Sequence, residues 1–169
     1  MKHIFNLAAA TILVAMPVPS IAQNSDYIRF GGYATEVAKT LTSIQSCKRM
    51  GFDVNDGDGI ASEISSIATR EAVMMGIDKS TAEAMLLDAL NREKADMELI
   101  SSLPKHIDTT EELIEQVRDT FLFWDTRCRA LSSAGFGSNF IRETGNEASV
   151  QQKSLEKLIA DIRSTNGVD

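Results

Sequence analysis

Cys47 and Cys128 are the only thiols of this 169-residue chain. Each falls on an apolar helical stripe, so each is expected to point into a core. In an exported chain, argued below, such a pair reads as one disulfide rather than two buried free thiols. The bond would close a loop 81 residues long, worth about 4 kcal/mol by chain entropy. His106 is the other reactive side chain of note outside the leader, and no second histidine stands near it to make a metal pair. HExxH, GxSxG and CxxC are all missing, and Ser138 after Gly135-Phe-Gly137 lacks the glycine frame of a nucleophile elbow. Glu63, Glu71 and Glu93 are candidate acids for a small helical cell-wall hydrolase. No spacing singles out a carboxylate pair, and solvated helix faces explain them equally. Met50, Met74, Met75, Met85 and Met97 lie mostly on core-facing positions, where a thioether fills gaps.

The densest run of oxygen ligands is Asp53-Val-Asn-Asp-Gly-Asp-Gly-Ile-Ala-Ser-Glu63. It resembles an EF-hand calcium loop, which supplies ligands at positions 1, 3, 5 and 12 and glycine at 6. Counted from Asp53, Asn55 and Ile60 fall correctly, but Gly57 takes position 5 and Glu63 position 11. Counted from Val54, Asp56, Asp58 and Gly59 fit, and the first and last ligands are lost. The loop is one residue short in either frame. It reads as an acidic turn whose Asp58 caps the next helix, with calcium held by Asp53, Asn55, Asp58 and Glu63 as the alternative.

Helical periodicity surrounds these residues. Phe30, Ala34, Val37, Leu41, Ile44 and Cys47 recur at steps of three and four, placing a first helix over about Ser25 to Met50. Within it, Leu41-Thr-Ser-Ile-Gln45 matches the LTxxQ signature of Spy/CpxP-like periplasmic helical chaperones. That similarity covers five residues, occurs once, and assigns no family. Ile60, Ile64, Ala68 and Ala72 mark a second helix, closed by Gly76 in the left-handed region with Ile77 folding back. Ser80 and Glu83 have capping-box spacing and open a third helix, which Pro104 stops. Asp108 and Glu111 precede a fourth, with Leu113, Val117, Phe121, Trp124, Cys128 and Leu131 on its stripe. Gly135 and Gly137 break it. A weak helix is expected over Ser138 to Thr144, and a last one carries Leu155, Leu158, Ile159 and Ile162.

The fold class is therefore all-α: a compact bundle of four to five helices with one disulfide. Cys47 and Cys128 both lie near the C-terminal ends of their helices. Adjacent antiparallel helices would hold such positions about 20 Å apart, whereas a disulfide needs Cα atoms within about 7 Å. The expectation is a near-parallel or steeply crossing pair, not a simple up-down-up-down arrangement. Leu122 and Phe123 project off the apolar stripe. Either they are covered by the last helix with Phe136 and Phe140, or Leu122, Phe123, Phe136 and Phe140 form a partner patch.

Met1–His3 is basic, Ile4–Met16 almost wholly apolar, and Ser20-Ile21-Ala22 places small residues at a cleavage site. This is the three-part pattern of a secretory signal over residues 1–22; the apolar stretch is shorter than the roughly 20 residues of a bilayer span. Residues 23–164 form a single helical domain, and 165–169 a fraying tail. Hydrophobic residues make up 43% and charged residues 24%, an average globular balance that excludes a disordered chain. A net charge of −7 lacks the basic stripe of nucleic-acid binders. The sequence points to a periplasmic or secreted, non-enzymatic protein acting by contact with another protein, as an accessory, inhibitor, immunity-type or chaperone-like factor. No cofactor is called for, apart from the calcium alternative.

Overall fold

A computed structural model describes residues 21–102 and 107–167, with side chains over 25–100 and 107–167. The signal expected over 1–22 lies outside them, apart from the backbone of Ile21 and Ala22, as do Pro104 and His106. Five helices account for most of the chain: α1 (Ile21–Arg49), α2 (Ile60–Met74), α3 (Lys79–Ser102), α4 (Thr110–Ser133) and α5 (Glu147–Asn166). Between them sit the short strands β1 (Asp53–Val54) and β2 (Ile141–Arg142) and a 3-10 turn at Gly137–Asn139.

The α1 stripe is buried as its spacing predicts: Phe30, Ala34, Val37, Ile44 and Cys47 are all in the core. Gly51 ends α1 at φ +90°. There the Phe52 N–H bonds back to the Cys47 carbonyl at 3.1 Å, which satisfies an orphan acceptor and folds Phe52 inward. Gly76 (φ +80°) repeats the device at the end of α2, with the Ile77 N–H on the Ala72 carbonyl at 3.0 Å.

One core cluster joins Phe30, Ala34 and Ala38 of α1 to Ala72, Ile77, Ala82 and Ala89. Alanines at this seam let α1 and α3 approach closely. Gly31 lies beside Met85, and farther along both helices Ser43 and Glu93 share Arg127, so α1 and α3 run in the same direction with the short α2 as the return. The other cluster binds the C-terminal half of α1 to the end of α4 and the segment after it, through Val37, Ile44, Leu131, Phe136, Phe140 and Ile141.

Cys47 and Cys128 form the expected disulfide, with Cα atoms 5.5 Å apart. Of the two expected arrangements, the near-parallel one is set aside. Arg127 reaches Lys39, Thr42 and Ser43; beyond the end of α4, Phe136 donates to Glu36 and stacks edge-on against Tyr33, so contacts progress in opposite order along the two segments. α1 and α4 meet over a short stretch, through their C-terminal parts, where the two near-end cysteines face each other. The result is still no plain four-helix bundle. α1, α2 and α3 form one unit, α4 and α5 pair as another, and α3 has few contacts with α4.

Three local expectations also change. The 138–144 helix is replaced by the 3-10 turn and β2, because Ile141 pairs with Val54 and Arg142 with Asp53 in an antiparallel ladder. At its start a Cβ on Gly137 would sit 2.7 Å from the Leu131 carbonyl oxygen, so only glycine fits. α3 opens at Lys79, one residue before Ser80, with the Asp78 carboxylate accepting from the Thr81 N–H at 3.0 Å. The capping box belongs instead to Thr109 and Glu112 at the start of α4. α5 runs through residues 164–166 and closes on Gly167, carrying helix into the expected tail.

Candidate functional site

The helices α2 and α3 diverge from their turn at Gly76 and leave a cleft of about 680 Å³ over α1. Its floor is Val37, Ala38 and Leu41 of α1, and one wall is Leu86, Leu87 and Leu90 of α3. The other wall is Ser62, Ser65, Ser66 and Thr69, at helical spacing on the face of α2 that its core residues Ile64, Ala68 and Ala72 leave outward. Small hydroxyl side chains allow another backbone to come close. Val73, Arg70, Lys79 and Glu83 line the end where the helices meet. Leu87 and Val73 are 58% and 53% exposed, so the apolar lining faces solvent.

A second, shallower depression lies on the outer face of α4, lined by Asp119, Leu122, Phe123, Thr126, Arg127 and Ala130. Leu122 is 65% exposed, and Phe123 is half-buried and edge-on to Trp124. Phe136 and Phe140 do not join them. Both are buried against each other in the core, ring centroids 5.1 Å apart, because the 3-10 turn folds them under the end of α4. The four-residue patch is thereby reduced to Leu122 and Phe123.

The acidic loop is put to structural use. Asp53 lies in β1, and the Asn55 N–H donates to the Phe140 carbonyl at 2.9 Å. Asp56 pairs with Lys48 at 2.6 Å. The Lys48 ammonium holds the Asp56 carboxyl below the usual carboxylate range, with a further hydrogen bond from Gln45. Asp58 does not cap α2: Gly59 stands at the N-cap with no side-chain bond. Asp53, Asn55, Asp58 and Glu63 are all exposed. Among the described residues, no three His, Cys, Asp or Glu side chains converge as a cation site.

Of the candidate acids, Glu93 is buried and bonded to Arg127, whose Nε also donates to Ser43 Oγ at 2.6 Å. Glu63 is exposed on the first turn of α2. Glu147, at the start of α5, is buried. Burial pushes its carboxyl up, but hydrogen bonds from its own N–H and from Thr144 and Gly145 outweigh this and lower it. It closes the turn into the helix rather than facing a cleft.

Sequence reasoning missed the cleft and the Glu93–Arg127 pair. The signal for the cleft was there in kind: Val73 and Leu87 are apolar residues off the core stripe, as Leu122 and Phe123 are. Comparison with protein-family models, curated proteins and solved structures gives no match. No helix among the described residues is long and apolar enough to cross a membrane.

Proposed function

We propose that this chain is an exported, non-enzymatic helical protein that holds an amphipathic helix of another protein in the α2–α3 cleft. The observation that carries the reading is the apolar wall of Leu86, Leu87 and Leu90 opposite a wall of small hydroxyls, with Leu87 and Val73 exposed to solvent. Each wall spans 12 residues of helix, Ser62 to Val73 and Lys79 to Leu90, a rise of roughly 16 Å at 1.5 Å per residue. That length takes three turns of a partner helix anchored at i, i+3/i+4 and i+7. Export, to the periplasm or beyond, is supported by the signal-like residues 1–22 and by a disulfide of the kind that persists in oxidising compartments.

The test is selection of binders from a displayed library of helical 12-residue peptides, followed by fluorescence anisotropy on wild type and on Leu87→Glu. Leu87 is exposed enough for the substitution to leave the core intact, which a circular dichroism melt checks. Recovered peptides are expected to carry apolar residues at helical spacing and to lose at least tenfold affinity on Leu87→Glu, about 1.4 kcal/mol. Peptides indifferent to Leu87→Glu, or a cleft that takes dodecanoate and no helix, would overturn the proposal.

A further inference from the structure

The chain contains two Asp-Gly pairs, Asp56–Gly57 and Asp58–Gly59, consecutive in one loop. Such pairs share an intrinsic chemistry, because glycine has no side chain to shield its amide nitrogen from the preceding carboxyl. The fold treats the two differently. Asp56 is engaged by Lys48 at 2.6 Å and stays ionised through that contact. Asp58 is exposed and, among the described residues, has neither hydrogen bond nor ion pair. It sits in a turn closed by the Ile60 N–H on the Gly57 carbonyl at 3.1 Å. Gly59 has φ +86° and ψ 3°, the left-handed region that glycine enters at no steric cost. Its N–H donates to no acceptor among the described residues. Apart from its two chain neighbours, nothing comes within 4 Å of the space beside Gly59 where a Cβ would stand. The Asn-Gly pair, Asn166–Gly167, is held instead: the Gly167 N–H bonds to Arg163 and the Asn166 amide to Ile162.

We propose that Asp58 is a modification site, isomerising spontaneously to isoaspartate through a succinimide formed with the Gly59 nitrogen, while the fold protects Asp56. The Gly59 nitrogen attacks Cγ of the protonated Asp58 carboxyl. An N–Cγ bond forms, and the amide proton leaves with the carboxyl hydroxyl as water. Water then adds back to the imide. Breaking the N–Cγ bond restores aspartate; breaking the bond to the backbone carbonyl carbon leaves isoaspartate, with the main chain running through Cβ and Cγ. No electrons are transferred and the mass is unchanged. The added methylene shifts Gly59, whose carbonyl accepts from the Glu63 N–H at 3.0 Å at the start of α2, in the turn that leads to Ser62 at the cleft.

The full chain is aged in H2(18)O at 37 °C, folded and in 8 M urea, and each aspartate is read by electron-transfer fragmentation, which separates isoaspartate from aspartate. In the folded protein, label and isoaspartate are expected at Asp58 several-fold faster than at Asp56. In urea the two rates should converge, because both are then Asp-Gly in an open chain. Lys48→Ala should raise Asp56 toward Asp58 in the folded protein, with helicity unchanged. Equal or faster labelling at Asp56 in the fold, an Asp58-to-Asp56 ratio the same in urea, or an Asp56 rate unmoved by Lys48→Ala would each overturn the proposal.

Discussion

Arg127→Ala is expected to be the most damaging polar substitution in the molecule. The guanidinium lies between the two helical units. It meets Glu93 of α3, donates to Ser43 of α1 at 2.6 Å, reaches Thr42 and the Lys39 carbonyl at 3.4 and 3.5 Å, and rests 6.0 Å from the Trp124 ring centre. Glu93 is 7% exposed and Ser43 fully buried. Removing Arg127 leaves a buried carboxylate without its partner, which costs about 3–5 kcal/mol. That is a fifth or more of the roughly 5–15 kcal/mol by which a domain is stable. The pair itself is worth far less, because its attraction mostly offsets the loss of hydration. A cycle of Arg127→Leu, Glu93→Leu and the double variant, followed by urea unfolding at 222 nm, separates the two quantities. Each single variant should fall by several kcal/mol and the double should regain most of the loss. If Arg127→Leu costs under about 1 kcal/mol, the range of exposed pairs, water reaches Glu93 and the argument from burial is wrong.

Replacing both cysteines by alanine should lower stability by about 4.5 kcal/mol, the chain-entropy value for an 81-residue separation; chemical denaturation of the double variant against the oxidised wild type checks it, and a loss under about 1 kcal/mol would mean a denatured chain already compact around the two sites. Asp78 is held at about 2 by hydrogen bonds from Ser80 and Thr81. A depressed carboxyl stabilises the fold above its unfolded pKa and ceases to as pH falls through the folded one. The gap in melting temperature between wild type and Asp78→Ala should thus be full above about pH 4 and close toward pH 2; a pH-independent gap would show that the charge plays no part.

Helices were legible wherever the core is one-sided. The steps of three and four from Phe30 to Cys47 and from Phe121 to Leu131 predict core-facing stripes, and the structure buries most of the first and the Cys128–Leu131 end of the second, with Phe121 and Trp124 packed half-buried against the same cluster, because a helix that packs on one face must repeat its apolar residues at that period. Local glycine chemistry was legible too, at Gly76. Caps were less so: Ser80 and Thr109 both have a glutamate three residues on, and what decides between them is that Asp78 stands first in line for the Thr81 N–H. Features made by residues far apart in sequence left little trace. The Val54–Ile141 pairing, the Glu93–Arg127 bond and the burial of Phe136 and Phe140 depend on where α4 ends over α1, and no period along the chain encodes that. The cleft is an absence between α2 and α3, and periodicity reports only what a helix face touches.

The seam between the two helical units also dictates an order of events. Its contacts join Cys47 to Cys128, Val54 to Ile141, Glu36 to Phe136 and Gly51 to Val150, all spanning roughly 80 to 100 residues. Contacts of such long range slow a chain's search for its native state. A chain emerging from its N-terminus can close the α1–α3 alanine seam early. The larger cluster must wait until residue 141 has appeared, with Val37, Ile44 and Phe52 uncovered in the interval. That interval is when the chain is most open to aggregation, and when Cys47 stands longest as a lone thiol.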